Sequence, residues 1–202
     1  MPDPYTPPQV PYLSAGRKLC VTGSCILTAS EDFVGKVIRF FEGNHAFCSH
    51  TASVVRFPAE LMSEERVTLI EALEKGLTPT FISHYGAGFK GRIFLFTPGE
   101  LTKSIQATPV GHPSNTQTKF SQWLLERLFE GTPYDYAGLF KQIFGHVPEN
   151  TGTEFCSEAW ALAAEYAGIS RIDNAHAGMA PQPADIPNWW SGTLVELIKP
   201  FE

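Results

Sequence analysis

Two residues of this chain can do covalent chemistry together. Cys156 lies in Glu154-Phe155-Cys156-Ser157-Glu158-Ala159-Trp160, at the predicted start of a helix. His50 lies in Phe47-Cys48-Ser49-His50-Thr51-Ala52-Ser53-Val54-Val55-Arg56, at the predicted start of a strand. A thiol in the first turn of a helix sits at the positive end of the helix dipole, which favours the reactive thiolate. An imidazole beside it supplies a base, and the two form the minimal apparatus for nucleophilic acyl chemistry. Their separation of about a hundred residues is no obstacle, because such partners meet in space rather than in sequence.

Glu71 is the third residue of interest. In Val67-Thr68-Leu69-Ile70-Glu71-Ala72-Leu73 it shares an alternating face with Val67 and Leu69. A carboxylate on an apolar strand face must find a partner or shift its pKa. One reading lets it reach solvent at the strand end, like Glu74. The other has it accept the second imidazole N–H of His50 and fix the ring's tautomer and orientation. Antiparallel pairing of strands 50–57 and 66–73 brings both residues to the same end of a hairpin.

Other chemistries fit less well. His45, Cys48 and His50 form H-x-x-C-x-H, three potential zinc ligands within six residues. No fourth ligand lies nearby and the run passes straight into a strand, so zinc is the runner-up chemistry; the thiol–imidazole chemistry needs neither a metal nor an organic cofactor. Cys20 and Cys25 stand in apolar, strand-like contexts and read as core filler. Ser157 and Glu158 after Cys156 point to a partly solvated helix end, with Ser157 as a local hydrogen-bonding group. Trp189 and Trp190 either line a cleft or pack. No P-loop, dinucleotide glycine fingerprint or G-x-S-x-G elbow is present.

The elements that must position these groups follow from periodicity. Residues 1–18 are Pro-rich and extended, a strap or disordered lead to a single domain over 19–202. Residues 19–28 read as a short strand. Residues 31–42 carry Phe33, Val34, Val37, Ile38 and Phe41 on one helical stripe between Ser30 and Gly43. Strands are predicted over 50–57, 66–73 and 92–97, and helices over 116–129, 134–144 and 154–167. Segments 76–90 and 99–115 read as long loops, 169–192 as a Pro/Gly-rich connection and 193–201 as a last strand. The class is α+β, with strands grouped centrally and helices following.

Composition narrows the function. With 202 residues, 43% hydrophobic and 18% charged, the chain is a folded domain with one substantial core. A net charge of -6 provides no footprint for nucleic acid and no electrostatic attraction to an anionic membrane. No apolar run is long enough for a membrane-spanning helix. The first residues lack the blocks of a secretory signal, and four cysteines are too few for a disulfide scaffold. A cytoplasmic setting is the default expectation.

One ordered series of segments resembles a known family. It runs Gly23-Ser24-Cys25-Ile26-Leu27-Thr28, a helix, Phe47-Cys48-Ser49-His50-Thr51, Leu69-Ile70-Glu71-Ala72, Gly131-Thr132-Pro133-Tyr134-Asp135-Tyr136, Phe155-Cys156-Ser157-Glu158 and a final strand. This is similar to the circularly permuted NlpC-type papain-like cysteine hydrolases, the YiiX-like group, in which the histidine strand precedes the cysteine helix. The chain departs from it at Gly23-Ser24, where the group has Gly-Asp. The resemblance implies a permuted papain-like fold: a central, mostly antiparallel sheet with helices packed on it and the cysteine at a helix N-terminus. It implies Cys156 as nucleophile, His50 as general base, Glu71 as its orienting group, and Tyr134 and Asp135 as residues shaping the cleft. The implied substrate is a peptide or acyl compound, first an amide in a cell-wall-type peptide. A lipid acyl group and a non-catalytic binding role are the alternatives.

Overall fold

Near-continuous buried runs along Cys25–Ser30, Thr68–Leu73 and Gly91–Pro98 set up a sheet buried on both faces. In the computed structural model, which describes residues 7–31, 47–57, 66–73, 75–86, 88–131, 156–173 and 176–199, this sheet has seven strands. They are β1 (Gln9–Pro11), β2 (Cys25–Ser30), β3 (His50–Val55), β4 (Thr68–Leu73), β5 (Gly76–Phe81), β6 (Gly91–Pro98) and β7 (Gly192–Ile198). Their order is β1-β7-β6-β2-β3-β4-β5, antiparallel throughout except that β1 runs parallel to β7. The helices are α1 (Arg17–Leu19), α2 (Gly99–Gln106), α3 (Asn115–Glu130), α4 (Cys156–Tyr166) and α5 (Ile186–Trp189). The α+β class is as expected.

Each face of the sheet carries its own core. Cys25, Leu27, Phe94, Phe96, Ile70 and Ala72 pack against α3, α4 and α5. Ile26, Ala52, Val54, Leu69, Ile93 and Leu95 face the other way, onto Tyr12, Cys20, Ile82 and Tyr85. Trp160 of α4 anchors the first core: it is fully buried, meets Phe96 and Trp190 edge-on, and donates its indole N–H to the Gly23 carbonyl at 3.2 Å.

Several sequence expectations need correction. The strand expected over 19–28 begins only at Cys25, because Leu19 closes α1 and the chain then turns through Gly23 at φ +98°. The 76–90 segment is not a loop: it supplies β5 and a 3-10 turn, Ile82–Tyr85. Pro79 hid this strand, yet proline is tolerated here because β5 is an edge strand. Within 99–115 lies α2, and 169–192 contains a 3-10 turn and α5. The Pro-rich lead adds β1 to the sheet edge and buries Tyr12. Helix α3 matches expectation, with Ser114 and Gln117 forming a reciprocal capping box and Gly131 at φ 72° closing it. The helices expected over 31–42 and 134–144 lie outside the described residues.

Trp160→Ala should lower unfolding free energy by about 3–5 kcal/mol, the usual range for emptying a large aromatic site. Denaturant melts will check this. A smaller loss for Trp160→Phe than for the alanine variant is expected, since the ring contacts are partly kept.

Candidate active site

Where β3 meets β4 the ladder is short. Only Ser53, Val54 and Val55 pair, with Ile70, Leu69 and Thr68 respectively. Pairing therefore stops before His50–Ala52 on β3 and Glu71–Leu73 on β4, although both strands continue in that direction. Beyond that end of the ladder the two strands part, and the site is built there.

Backbone parity decides what faces this gap. The Val54 N–H donates to the Ser24 carbonyl at 2.9 Å, so even-numbered residues of β3 turn their backbone groups toward β2. Odd-numbered ones turn theirs toward β4. Thr51 is odd, so its N–H faces the gap, where it and the N–H of Ser157 favour the Cys156 thiolate. Cys156 is the first described residue of α4 and is 7% exposed.

Side-chain parity brings the other two residues together. His50 and Glu71 both alternate onto the face of Ala52, Val54 and Leu69, opposite the face that carries α4. Nε2 of His50 lies 2.7 Å from Oε2 of Glu71. With Nε2 committed to the carboxylate, Nδ1 is the ring nitrogen left to face Cys156, which acts on the imidazole. The three residues thus form a chain that crosses from one side of the sheet to the other through the gap. The hydrogen bond anticipated between His50 and Glu71 is present.

Glu71 is held by more than the imidazole. The hydroxyl of Thr80 on β5 donates to Oε1, and the phenol of Tyr85 donates to Oε2. The carboxylate is 2% exposed, and His50 is 23% exposed. Burial pushes the Glu71 carboxyl upward, but hydrogen bonding and charge from His50, then the bonds from Thr80 and Tyr85, bring it below its ordinary value. Burial in turn raises Tyr85, and the neighbouring carboxylate adds to it, so the phenol stays protonated as a donor.

The Cys156–His50 pair is polarised in the same sense. Burial alone depresses the imidazole, yet the charge and hydrogen bond of Cys156, followed by those of Glu71, lift it to about 10. Burial alone raises the thiol, but His50 and the N–H groups of Thr51 and Ser157 bring it below its ordinary value. Both shifts run in the sense of a thiolate–imidazolium pair. Cys20 and Cys25 form the contrast: burial pushes Cys20 up to about 12 and Cys25 well above its ordinary value. Both were expected to be inert core.

Other expected residues fall elsewhere. Tyr134, Asp135 and His45 lie outside the described residues. Cys48 is buried in the core beside α4, and among the described residues no group of three or more His, Cys, Asp or Glu could hold a metal ion. The residues after Cys156 are not partly solvated as expected, since Ser157 and Glu158 are fully buried. Ser157 donates to the Pro181 carbonyl at 2.6 Å, tying the 169–192 segment to α4. Trp189 and Trp190 pack rather than form a cleft: Trp190 is buried against Trp160, and Trp189 stacks on His176 at 4.2 Å.

Sequence reading missed Thr51, Thr80 and Tyr85. A signal for the last two existed, because a buried carboxylate needs donors for both oxygens and the next strand is the place to seek them. Comparison with protein-family models and with curated proteins finds no match for this chain.

His50 should titrate by NMR with a midpoint near 10, far above the ~6.5 of a free imidazole. Cys156→Ala and Glu71→Gln should each lower that midpoint, since each removes an anion beside the ring. A raised folded pKa means that His50's contribution to stability is complete below the unfolded value and disappears as pH rises through the folded one.

Proposed function

We propose that this chain is a cysteine hydrolase of the circularly permuted NlpC-type, papain-like kind, with Cys156 as nucleophile, His50 as general base and Glu71 as the group that orients it. The observation that carries this reading is the 2.7 Å bond between Nε2 of His50 and the buried Glu71 carboxylate, with Cys156 acting on the same imidazole. A hydrogen-bonded ionic chain of this order is costly to bury and is what a thiol needs to become a nucleophile at neutral pH. The α+β architecture, with its mostly antiparallel sheet, supports the fold assignment, and so does the order of histidine strand before cysteine helix.

In this mechanism the Cys156 thiolate attacks the carbonyl carbon of an amide, and the carbonyl π electrons move onto oxygen. Collapse of the tetrahedral intermediate expels the amine, which takes its proton from the His50 imidazolium. The product is a thioester on Cys156 and a neutral imidazole. Water then attacks the thioester while His50 accepts its proton. The second collapse releases the carboxylic acid and restores the thiolate–imidazolium pair. Glu71 keeps Nδ1 aimed at sulfur and stabilises the imidazolium without taking its proton. The N–H of Cys156, at the N-terminal end of α4, is the proposed donor to the oxyanion.

The substrate class comes from the resemblance: an amide in a cell-wall-type peptide, with Tyr134 and Asp135 shaping the cleft. Assay of muropeptides beside p-nitrophenyl esters and phospholipids tests it. Amide cleavage in the first set supports the reading, whereas acyl transfer or hydrolysis confined to the lipids moves the assignment to an acyltransferase or thioesterase. Cys156→Ala should reduce turnover to background, and His50→Ala should cost about 10²–10⁴-fold. Glu71→Gln should cost less, because it misorients the base rather than removing it. Equal activity in wild type and Cys156→Ala would overturn the catalytic assignment.

A further inference from the structure

Glu71 is an unusual place to leave a charge. Its carboxylate is 2% exposed, on a sheet face that also carries Ala52, Val54, Val67 and Leu69. An ion in such a setting persists only where its lone pairs are met by donors. Three donors meet them, from three separate elements: His50 of β3, Thr80 of β5 and Tyr85 of the 3-10 turn Ile82–Tyr85. Tyr85 and His50 converge on the same oxygen, Oε2, while Thr80 takes Oε1.

The geometry points to Tyr85 and Thr80 as positioning residues of the Cys156–His50–Glu71 chain, which keep the Glu71 carboxylate ionised and aimed at Nε2 and thereby set the acid limit of Cys156 reactivity. This inference rests on the reading of Cys156 as a nucleophile. Neither residue touches the sulfur. Each acts through Glu71, which acts through His50.

The placement of the two donors explains why they are suited to this. Leu69 pairs with Thr80 and Glu71 with Thr78, so Thr80 lies on the same face as Glu71, diagonally across the β4–β5 ladder. The Tyr85 ring is 5% exposed and is clamped edge-on by Phe89 and His84, which leaves its hydroxyl little freedom to turn away. The groups facing Glu71 are His50, Thr80 and Tyr85, with Cys156 reaching it only through His50. Of these only His50 carries positive charge, so when the carboxylate protonates, the imidazolium loses its buried counter-ion and its hold on the thiolate weakens. Removal of one donor raises the proton affinity of Glu71, so this loss begins at higher pH.

The test is the rate of Cys156 alkylation by iodoacetamide between pH 4 and 9, read by mass spectrometry, in full-length wild type, Tyr85→Phe, Thr80→Val and Thr80→Ser. Thermal melts accompany each variant. The wild type should react well below the ~8.5 of a free thiol. The acid limb of Tyr85→Phe and of Thr80→Val should move up by about one pH unit, the effect of losing one hydrogen bond to a charged group. Thr80→Ser, which keeps the hydroxyl, should overlay the wild type. Profiles for Tyr85→Phe and Thr80→Val that overlay the wild type would overturn the inference while leaving Cys156 as nucleophile. Lower melting temperatures with unmoved acid limbs do the same, since they describe a structural role alone. A wild-type profile with an ordinary thiol midpoint overturns both this inference and the reading beneath it. Thr80 lies on a half-exposed edge strand, so its variants give the answer even if Tyr85→Phe does not fold.

Discussion

A buried carboxylate on the wrong side of a sheet is the constraint on which the site depends. Glu71 shares its face with the aliphatic Ala52, Val54, Val67 and Leu69, and its carboxylate is 2% exposed. Its charge is tolerable only because three hydrogen-bond donors converge on it from separate elements. Those donors cannot be supplied by β4 itself. The β3 strand, the β5 strand and the turn after β5 all have to be in place, so the site exists only when this end of the sheet is fully assembled.

The way the sheet opens is the second half of the design. Paired strands have no room for a side-chain chain to pass through them. The β3–β4 ladder spans only three residue pairs, and beyond it the Thr51 N–H is directed at the gap instead of at β4. Helix α4, packed on one face through Trp160 and its alanines, delivers Cys156 to this opening. His50 and Glu71 approach from the other face. A loss of packing under α4 therefore acts on the chemistry as well as on stability, because thiol and imidazole belong to different layers of the fold.

Electrostatic contrast among the cysteines follows from the same architecture. Cys20, Cys25 and Cys156 are all buried. Burial by itself raises a thiol's pKa, as it does for Cys20 and Cys25. Cys156 differs in that His50, followed by the N–H groups of Thr51 and Ser157, offsets the effect of burial. What separates a lowered thiol pKa from a raised one here is the polar surroundings of the sulfur, with exposure nearly constant.

Much of the scaffold was legible in the residues: β-branched, aliphatic and aromatic runs revealed β3, β4, β6 and β7, and the amphipathic stripe marked α3 closely. Parity in Val67–Leu69–Glu71 marked Glu71 as a carboxylate in need of a partner, and His50 was the partner named. Edge elements were the least legible. The strand β5 and the extended Gln9–Pro11 carry proline and little apolar alternation, since an edge strand has one free side and so imposes weaker rules. By itself the sequence determined which groups can react and which faces they share, because side-chain chemistry and strand parity are local properties. Only the tertiary structure decided that β3 and β4 part where they do, that Thr51 turns its N–H to the gap, and that Thr80 and Tyr85 reach Glu71. Those facts depend on strand register and on contacts between layers, which no single segment encodes.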